Sequence, residues 1–454
     1  MCRATTWSRI LTTRRAPLTR ARKAIASRFG LSERAKWAVA ATVLSLVSVL
    51  LYANLTTPDQ SADHPIAHAY GTGDHQFATT MEHLAGFPVV PGNRVTALLN
   101  GDQAFPAMLE AISSAKRSIT LEAYIFWPGT IGTRFADALM ERARAGVATH
   151  LILDGMGSRK LDDDLIERME EAGVEVKEFR PVRWYTLDRV NHRTHRKILV
   201  VDGRVGFTGG LGIADLYLGN AQDKDHWRDA QFRAEGPVVG QLQAMFLDNW
   251  LESGGPLLHG PDYFPTLDSA GPARAHAVLG SPGAGIESLR LTYHLAIASA
   301  TRSIVITNPY FVPNTLAVGM LVEARKRGVR VEIMGPGPIT DAGLVRRASR
   351  AKYGPLLEAG VRIYEYQPTM IHTKVMVVDD YWVSVGSTNF DSRSFRLNDE
   401  ANLNVFDEEF ARVQAGVFAE DRARSRKVTL EEWRRRPIGE RLEELVGRMM
   451  RHQL

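Results

Sequence analysis

Two stretches of the chain carry a histidine, a lysine two residues on and an aspartate five beyond that. They are His195, Lys197 and Asp202 in THRKILVVDGRVGFTGG, and His372, Lys374 and Asp379 in IHTKVMVVDDYWVSVGSTN. A constant offset of 177 aligns the two sets and also matches Gly209 to Gly386. One HxK alone is most simply a satisfied core histidine beside a surface lysine; two in register through the next strand and turn form a repeat. Alternating side chains put the histidine and lysine of each copy on one face of a strand. If the copies meet about a pseudo-two-fold axis, as homodimers do, two imidazoles and two ammonium groups enter one pocket. That set suits phosphodiester chemistry. One neutral histidine attacks phosphorus while the other, protonated, gives a proton to the leaving alcohol. The lysines, with donors from Ser387 and Asn389, neutralise the non-bridging oxygens. Their charge makes a metal or cofactor unnecessary.

The elements around the motifs alternate strand and helix, which is the α/β signature. Residues 105–116 are expected as a helix, 118–126 as a strand, 134–145 as a helix ending at Gly146, and 148–153 as a strand. A helix over 165–172 stopped by Gly173 and a strand over 174–179 complete the set before the first motif. The second half repeats the order. AISSAKRSI at 111–119 resembles AIASATRSI at 296–304, and EAGV occurs at both 171–174 and 358–361. The expected fold is α/β: two pseudo-symmetric sandwich lobes at 94–255 and 286–425, joined by a Gly/Pro-rich linker at 256–285.

The net charge of +5 is unevenly placed. Residues 1–36 hold ten Lys or Arg and one acid, and the remainder holds 46 basic and 50 acidic residues. A mildly acidic body argues against a broad nucleic-acid surface. The single cysteine, Cys2, allows no intramolecular disulfide and no cysteine-built zinc site. Residues 37–55 are free of charge and, as a helix, about 28 Å long, near the thickness of a bilayer core. They are expected to be one transmembrane anchor following a basic tail at 1–36. The positive-inside bias would put the N-terminus in the cytoplasm and the body on the far side, and an interfacial or re-entrant placement would reverse that. Residues 56–93 read as a polar linker, whose irregularly spaced His64, His68, His75 and His83 suit solvent better than a metal. Residues 426–454 are expected to be a C-terminal helical segment, basic and amphipathic over 441–451, packed on the body or lying on a membrane.

The duplicated HxKxxxxD, followed by GG or GSxN, resembles the phospholipase D superfamily. His226-Trp227-Arg228-Asp229, Leu98-Leu99-Asn100-Gly101-Asp102 and Asn398-Asp399-Glu400 resemble bacterial cardiolipin synthases more closely. The likeness runs from about Arg94 to the C-terminus. It implies a bilobal fold, a phosphohistidine intermediate and a membrane phospholipid substrate, with phosphatidyl transfer between two phosphatidylglycerols and a bacterial cell-membrane location. It makes His195, Lys197, His372 and Lys374 the active-site groups. Family precedent favours His195 as the nucleophile, although the near-symmetric sequence does not choose. Asp229 and Glu400 fit the family's downstream acidic positions and are expected to orient the imidazoles. Asp202 and Asp379 point elsewhere and are expected to partner nearby charges. The first copy departs from the pattern, with Gly210 and Gly212 where the second has Ser387 and Asn389, so phosphate there is expected to rest on backbone N–H groups. The segment at 180–196, with Arg180, Arg183, Arg189, Arg193 and Arg196 around Trp184 and Tyr185, reads as an anionic-headgroup surface. A hydrolytic phospholipase D, a phosphodiesterase or nuclease of the same superfamily, and a catalytically silent membrane scaffold are the competing readings.

Overall fold

The repeat in the sequence is repeated strand for strand in the sheet. In the computed structural model, which describes residues 32–55, 64–182, 191–282 and 287–437, the first half supplies seven strands. They are β1 (Val90–Leu99), β2 (Ser118–Ala123), β3 (Ala148–Asp154), β4 (Val174–Phe179), β5 (Lys197–Val201), β6 (Val205–Gly209) and β7 (Ala230–Glu235). The second half supplies their counterparts β8 (Ala273–Gly280), β9 (Ser303–Thr307), β10 (Arg330–Pro336), β11 (Arg362–Tyr366), β12 (Val375–Val378), β13 (Trp382–Gly386) and β14 (Glu400–Phe406), and adds β15 (Ser425–Val428). The sheet order is β15-β11-β10-β9-β12-β13-β14-β8-β1-β7-β6-β5-β2-β3-β4. Apart from β15, each half is the mirror sequence of the other, and the halves join where β1 pairs antiparallel with β8, Val90 opposite Ala275.

Strands β2 to β4 and β9 to β11 run parallel through helical crossovers, whereas the strands after each motif form antiparallel hairpins. Three cores result. One lies outside the first-half sheet around Phe105, Phe135 and Leu151. Another lies outside the second-half sheet around Ile304, Leu321 and Trp382. The third, around Phe232, Phe246, Trp250, Val383 and Phe418, draws on both halves and fastens them together.

The two motif aspartates hold each half in register. Asp202 and Asp379 open the β5–β6 and β12–β13 hairpins with φ of 53° and 56°, followed by Gly203 at 63° and Asp380 at 52°. Two successive left-handed residues make the tight turn that matches strand twist. Each carboxylate also accepts three consecutive backbone N–H groups at the entrance of a neighbouring strand. For Asp202 these are Lys116, Arg117 and Ser118; for Asp379 they are Thr301, Arg302 and Ser303. The expectation that they partner nearby charges is thus corrected. Their main partners are backbone donors left open where a helix gives way to a strand.

Three other expectations change. The stretch read as a polar linker forms a helix, His75–Ala85, which buries Phe77 and Met81 in the second-half core, and then β1. The stretch read as an inter-lobe linker contains β8, which sits mid-sheet. The apolar run at 37–55 forms a helix, Glu33–Leu55. It begins earlier than expected and takes in Glu33, Arg34 and Lys36, and among the described residues no helix is long and apolar enough to cross a membrane. The basic tail at 1–31, the linker residues 56–63 and the amphipathic helix expected at 441–451 lie outside the described residues.

Replacing Asp379 separates its two duties. Asp379→Ala removes the carboxylate and leaves at positive φ a residue without the short polar side chain that favours it, so it should cost about 2–4 kcal/mol by denaturant unfolding. Asp379→Asn tolerates that φ and should cost clearly less.

Candidate active site

Each motif histidine lies just before its strand, and each is met by a carboxylate from the other half. Two backbone bridges explain why. Thr194 pairs in parallel with Asp399, and Arg228 with Ile371. His195 N–H donates to Asp399 O at 2.8 Å, and His372 N–H to Arg228 O at 2.7 Å. The residues next in line are therefore brought side by side. His195 Nδ1 lies 3.0 Å from both Glu400 oxygens, and His372 Nδ1 lies 2.7 Å from Asp229 Oδ2. Asn100, itself at φ 58°, braces the Arg228–Asp229 segment. It donates its N–H to Asp229 O at 2.9 Å, and its Oδ1 accepts from Arg228 Nη1 at 3.2 Å. The next residue, Gly101, has no room for a side chain, since a Cβ would stand 2.1 Å from Tyr217 O.

Both lysines share this pocket. Lys197 Nζ donates to His195 O at 2.7 Å, and Lys374 Nζ to His372 O at 2.6 Å. Lys374 Nζ also lies 3.0 Å from His372 Nε2, whereas among the described residues His195 Nε2 takes no such bond. Tyr124 stands edge-on to His195 at 5.2 Å between ring centroids, and Trp227, Tyr217 and Tyr310 surround His372 at 5.2, 5.9 and 6.2 Å. Histidines, lysines and carboxylates are all buried.

Burial sets the protonation of the group. It pushes Glu400 up to about 6, against the pull of Lys197 and of hydroxyl donors from Ser387 and Ser394. For Asp229 burial is outweighed by the His372 and Lys374 side, which holds it below the usual carboxylate range. Burial, with Lys197 and Lys374 adding to it, drives His195 well below the ordinary imidazole value; burial and Lys374 lower His372 despite Asp229. Burial brings Lys197 down to about 7 and Lys374 to about 8. Near neutral pH both carboxylates are thus ionised and both imidazoles neutral. An ionised carboxylate only accepts, so each Nδ1 carries the proton and each Nε2 presents a lone pair. Two imidazole lone pairs and two tunable ammonium groups in a buried pocket can exchange a phosphodiester.

The carboxylates are supported unequally. Glu400 accepts from Ser387 Oγ, from Ser394 Oγ at 2.6 Å and weakly from Asn398 Nδ2 at 3.4 Å. Asp229 accepts from its neighbour Ala230 N–H at 2.8 Å, and Gly210 leaves it room, since a Cβ there would stand 2.2 Å from Asp229 Oδ1. The expected phosphate donor Ser387 is accordingly spent on Glu400. Asn389 has its Oδ1 buried and unpartnered. In the first half Gly210 N–H is taken by Ala230 O at 3.0 Å and is not open to a phosphate. The expected headgroup surface also changes. Arg180 pairs with Glu252 and Asp399, Arg193 with Asp154, and the fully buried Arg196 with Asp248 and Asp399. Arg183, Trp184, Tyr185 and Arg189 lie outside the described residues.

Sequence reasoning missed Ser394 and the aromatic wall. No spacing marks Ser394, which reaches Glu400 through a short helix, Ser392–Arg396, capped by Asp391. Tyr124, Tyr217 and Tyr310 come from three separate connections and converge only in the fold.

Two like lobes that together build one histidine–lysine pocket define a two-lobed phosphodiester-exchanging protein. The sequence matches the family described as "Cardiolipin synthase, PLD-like domain" over residues 108–235 and 294–422, one match per half. The chain belongs to this cardiolipin synthase family of phospholipase D-like proteins. It is 37% identical over 366 residues to cardiolipin synthase of Geobacillus kaustophilus, covering 80% of this chain and 73% of that one. It is 36% identical over 361 residues to the major cardiolipin synthase ClsA of Bacillus subtilis, covering 79% and 75%. The fold is similar to that of phosphatidylserine synthase from Haemophilus influenzae, with a TM-score of 0.63 at 15% identity over 84% of this chain and all of that one.

The protonation pattern gives a pH profile. Turnover needs Glu400 ionised and the lysines charged, so kcat/KM should rise through pH about 6 and fall as Lys197 and Lys374 lose protons between about 7 and 8. Glu400→Gln should abolish the acid limb and leave the alkaline limb in place.

Proposed function

We propose that the chain is a cardiolipin synthase that transfers the phosphatidyl group of one phosphatidylglycerol to a hydroxyl of a second, releasing glycerol. The observation that carries this reading is the crossed His–carboxylate pair, set in a lysine-lined pocket in a member of the cardiolipin synthase family. His195 is assigned as the nucleophile because its Nε2 is bare while His372 Nε2 already accepts from Lys374. Nε2 of His195 attacks phosphorus, and the bond from phosphorus to the glycerol oxygen breaks. That oxygen takes its proton from Nε2 of the protonated His372, which is left neutral beside the Lys374 ammonium 3.0 Å away. The anionic phosphodiester offsets burial and favours a protonated His372 while it is bound. Lys197 and Lys374 stabilise the charge on the non-bridging oxygens, and Asn389 Nδ2 is assigned as a further donor.

Glycerol leaves and the second phosphatidylglycerol enters. His372 Nε2 removes the proton of its headgroup hydroxyl, the oxygen attacks phosphorus, and the N–P bond to His195 breaks. One phosphodiester replaces another, so no nucleotide is consumed. Glu400 and Asp229 hold the reacting tautomers, as structural partners of the imidazoles. Such a reaction takes place at a lipid surface, and the bacterial relatives support action at a bacterial membrane.

Purified protein supplied with phosphatidylglycerol vesicles should form cardiolipin and glycerol in equal amounts. His195→Ala should lower the rate by at least about 10⁴-fold, since removing a nucleophile leaves only binding and electrostatics. Formation of phosphatidic acid in place of cardiolipin would make the enzyme a hydrolase.

A further inference from the structure

The second half contains a cavity of about 650 Å³ at a joint that the first half closes. It lies between one face of helix Thr315–Lys326, with Leu316, Gly319 and Met320, and the short helix Ser392–Arg396, with Phe395 and Arg396. These helices follow β9 and β13. Their counterparts after β2 and β6 are helix Thr130–Arg144 and the turn Asp215–Tyr217. There Asp215 accepts from Thr130 and Ile131 N–H, both at 2.9 Å, and a Cβ on Gly129 would stand 2.6 Å from that carboxylate. The first-half joint is shut by direct contact, and the second is held apart.

The lining is divided by chemistry. Ile66, Leu316, Met320 and Phe395 offer apolar surface, and Arg290 lines the same space with a guanidinium. Arg290 is only 3% exposed and pairs with Glu287 through Nε, but its Nη2 is buried without a hydrogen-bond partner. A buried donor of this kind is costly unless an acceptor meets it. An apolar space that holds a guanidinium N–H without a partner, and whose lining carries Arg290, Arg327, Lys352 and Arg396 against Glu323 and Asp391, complements a chain with an anionic head. The volume suits such a molecule, as ligand cavities run from roughly 300 to 1,000 Å³. Asp391 also lines the cavity, and it caps Ser394 N–H at 2.8 Å. The Ser394 hydroxyl in turn holds Glu400. One wall of the cavity is therefore the support of the carboxylate that orients His195.

We infer that this cavity seats an anionic membrane amphiphile, its chain along Leu316 and Met320 and its phosphate at Arg290, as a second lipid site apart from the two histidines. The bound lipid does not react, because the Asp391–Ser394 segment stands between it and the catalytic groups. This site does not depend on which phosphodiester the histidines exchange.

The test is photolabelling of the full chain in phosphatidylcholine vesicles with a diazirine-bearing hexadecyl phosphate, with the labelled peptides mapped by mass spectrometry. Label should fall on the peptides containing Leu316–Met320 or Phe395. Gly319 is suited to the test because a Cβ there meets nothing within 4 Å. Gly319→Phe, which fills the cavity, and Leu316→Glu, which repels the anion, should each reduce labelling by about tenfold or more. Gly319→Ala should retain it. Excess unlabelled hexadecyl phosphate should compete and inorganic phosphate should not. The inference is overturned if label appears only on peptides holding His195 or His372. It is equally overturned if Gly319→Phe labels like the wild type, or if inorganic phosphate alone displaces the probe.

Discussion

The hydrogen bond from each imidazole to the opposite half's carboxylate is the constraint on which the site depends. His195 meets Glu400 and His372 meets Asp229 because two short parallel bridges, Thr194 with Asp399 and Arg228 with Ile371, fix the crossing. Neither half contains an oriented histidine of its own. The mirrored sheet, the β1–β8 seam and the core shared by both halves hold the bridges in register. A buried neutral imidazole beside an ionised carboxylate has one favourable tautomer, so the crossing also decides which nitrogen faces the substrate.

Around this symmetric frame the halves have diverged. Glu400 is longer by a methylene and is supported by three side chains, whereas Asp229 is short and relies on a backbone N–H and on the space left by Gly210. Burial raises Glu400 to about 6, and the charges near His372 keep Asp229 low. Lys374 bonds to the ring of its own histidine, and Lys197 does not. These differences separate the two histidines chemically, which near-identical motifs could not do, and they underlie the proposed division between attacking group and proton carrier. The second half also carries the more open joint beside Ser394. The better-supported carboxylate is thus the one with a cavity at its back.

Much of this was legible in the residues. The repeat predicted two α/β lobes and one shared pocket, because strand alternation puts His and Lys on one face and duplication implies a dyad. What escaped was local and geometric. Asp202 and Asp379 look like charge partners in sequence, yet their positive φ and their backbone N–H partners appear only once a helix end and a hairpin turn come together. Ser387 looks like a phosphate donor, but Glu400 lies closer and takes its hydroxyl. The arginines at 180, 193 and 196 look like a surface track and are instead drawn inward by Glu252, Asp154, Asp248 and Asp399. Composition suggested a linker before residue 94, where Phe77 and Met81 are core residues on a helix whose other face is polar.

The crossed pairing can be read most directly from the imidazole ¹⁵N resonances of His195 and His372 in the folded protein. Each should show a protonated Nδ1 and a bare Nε2 near neutral pH. In Glu400→Gln the resonances of His195 should move much more than those of His372, and in Asp229→Asn the order should reverse. If each substitution instead acts mainly on the histidine of its own half, the crossed site described above is contradicted.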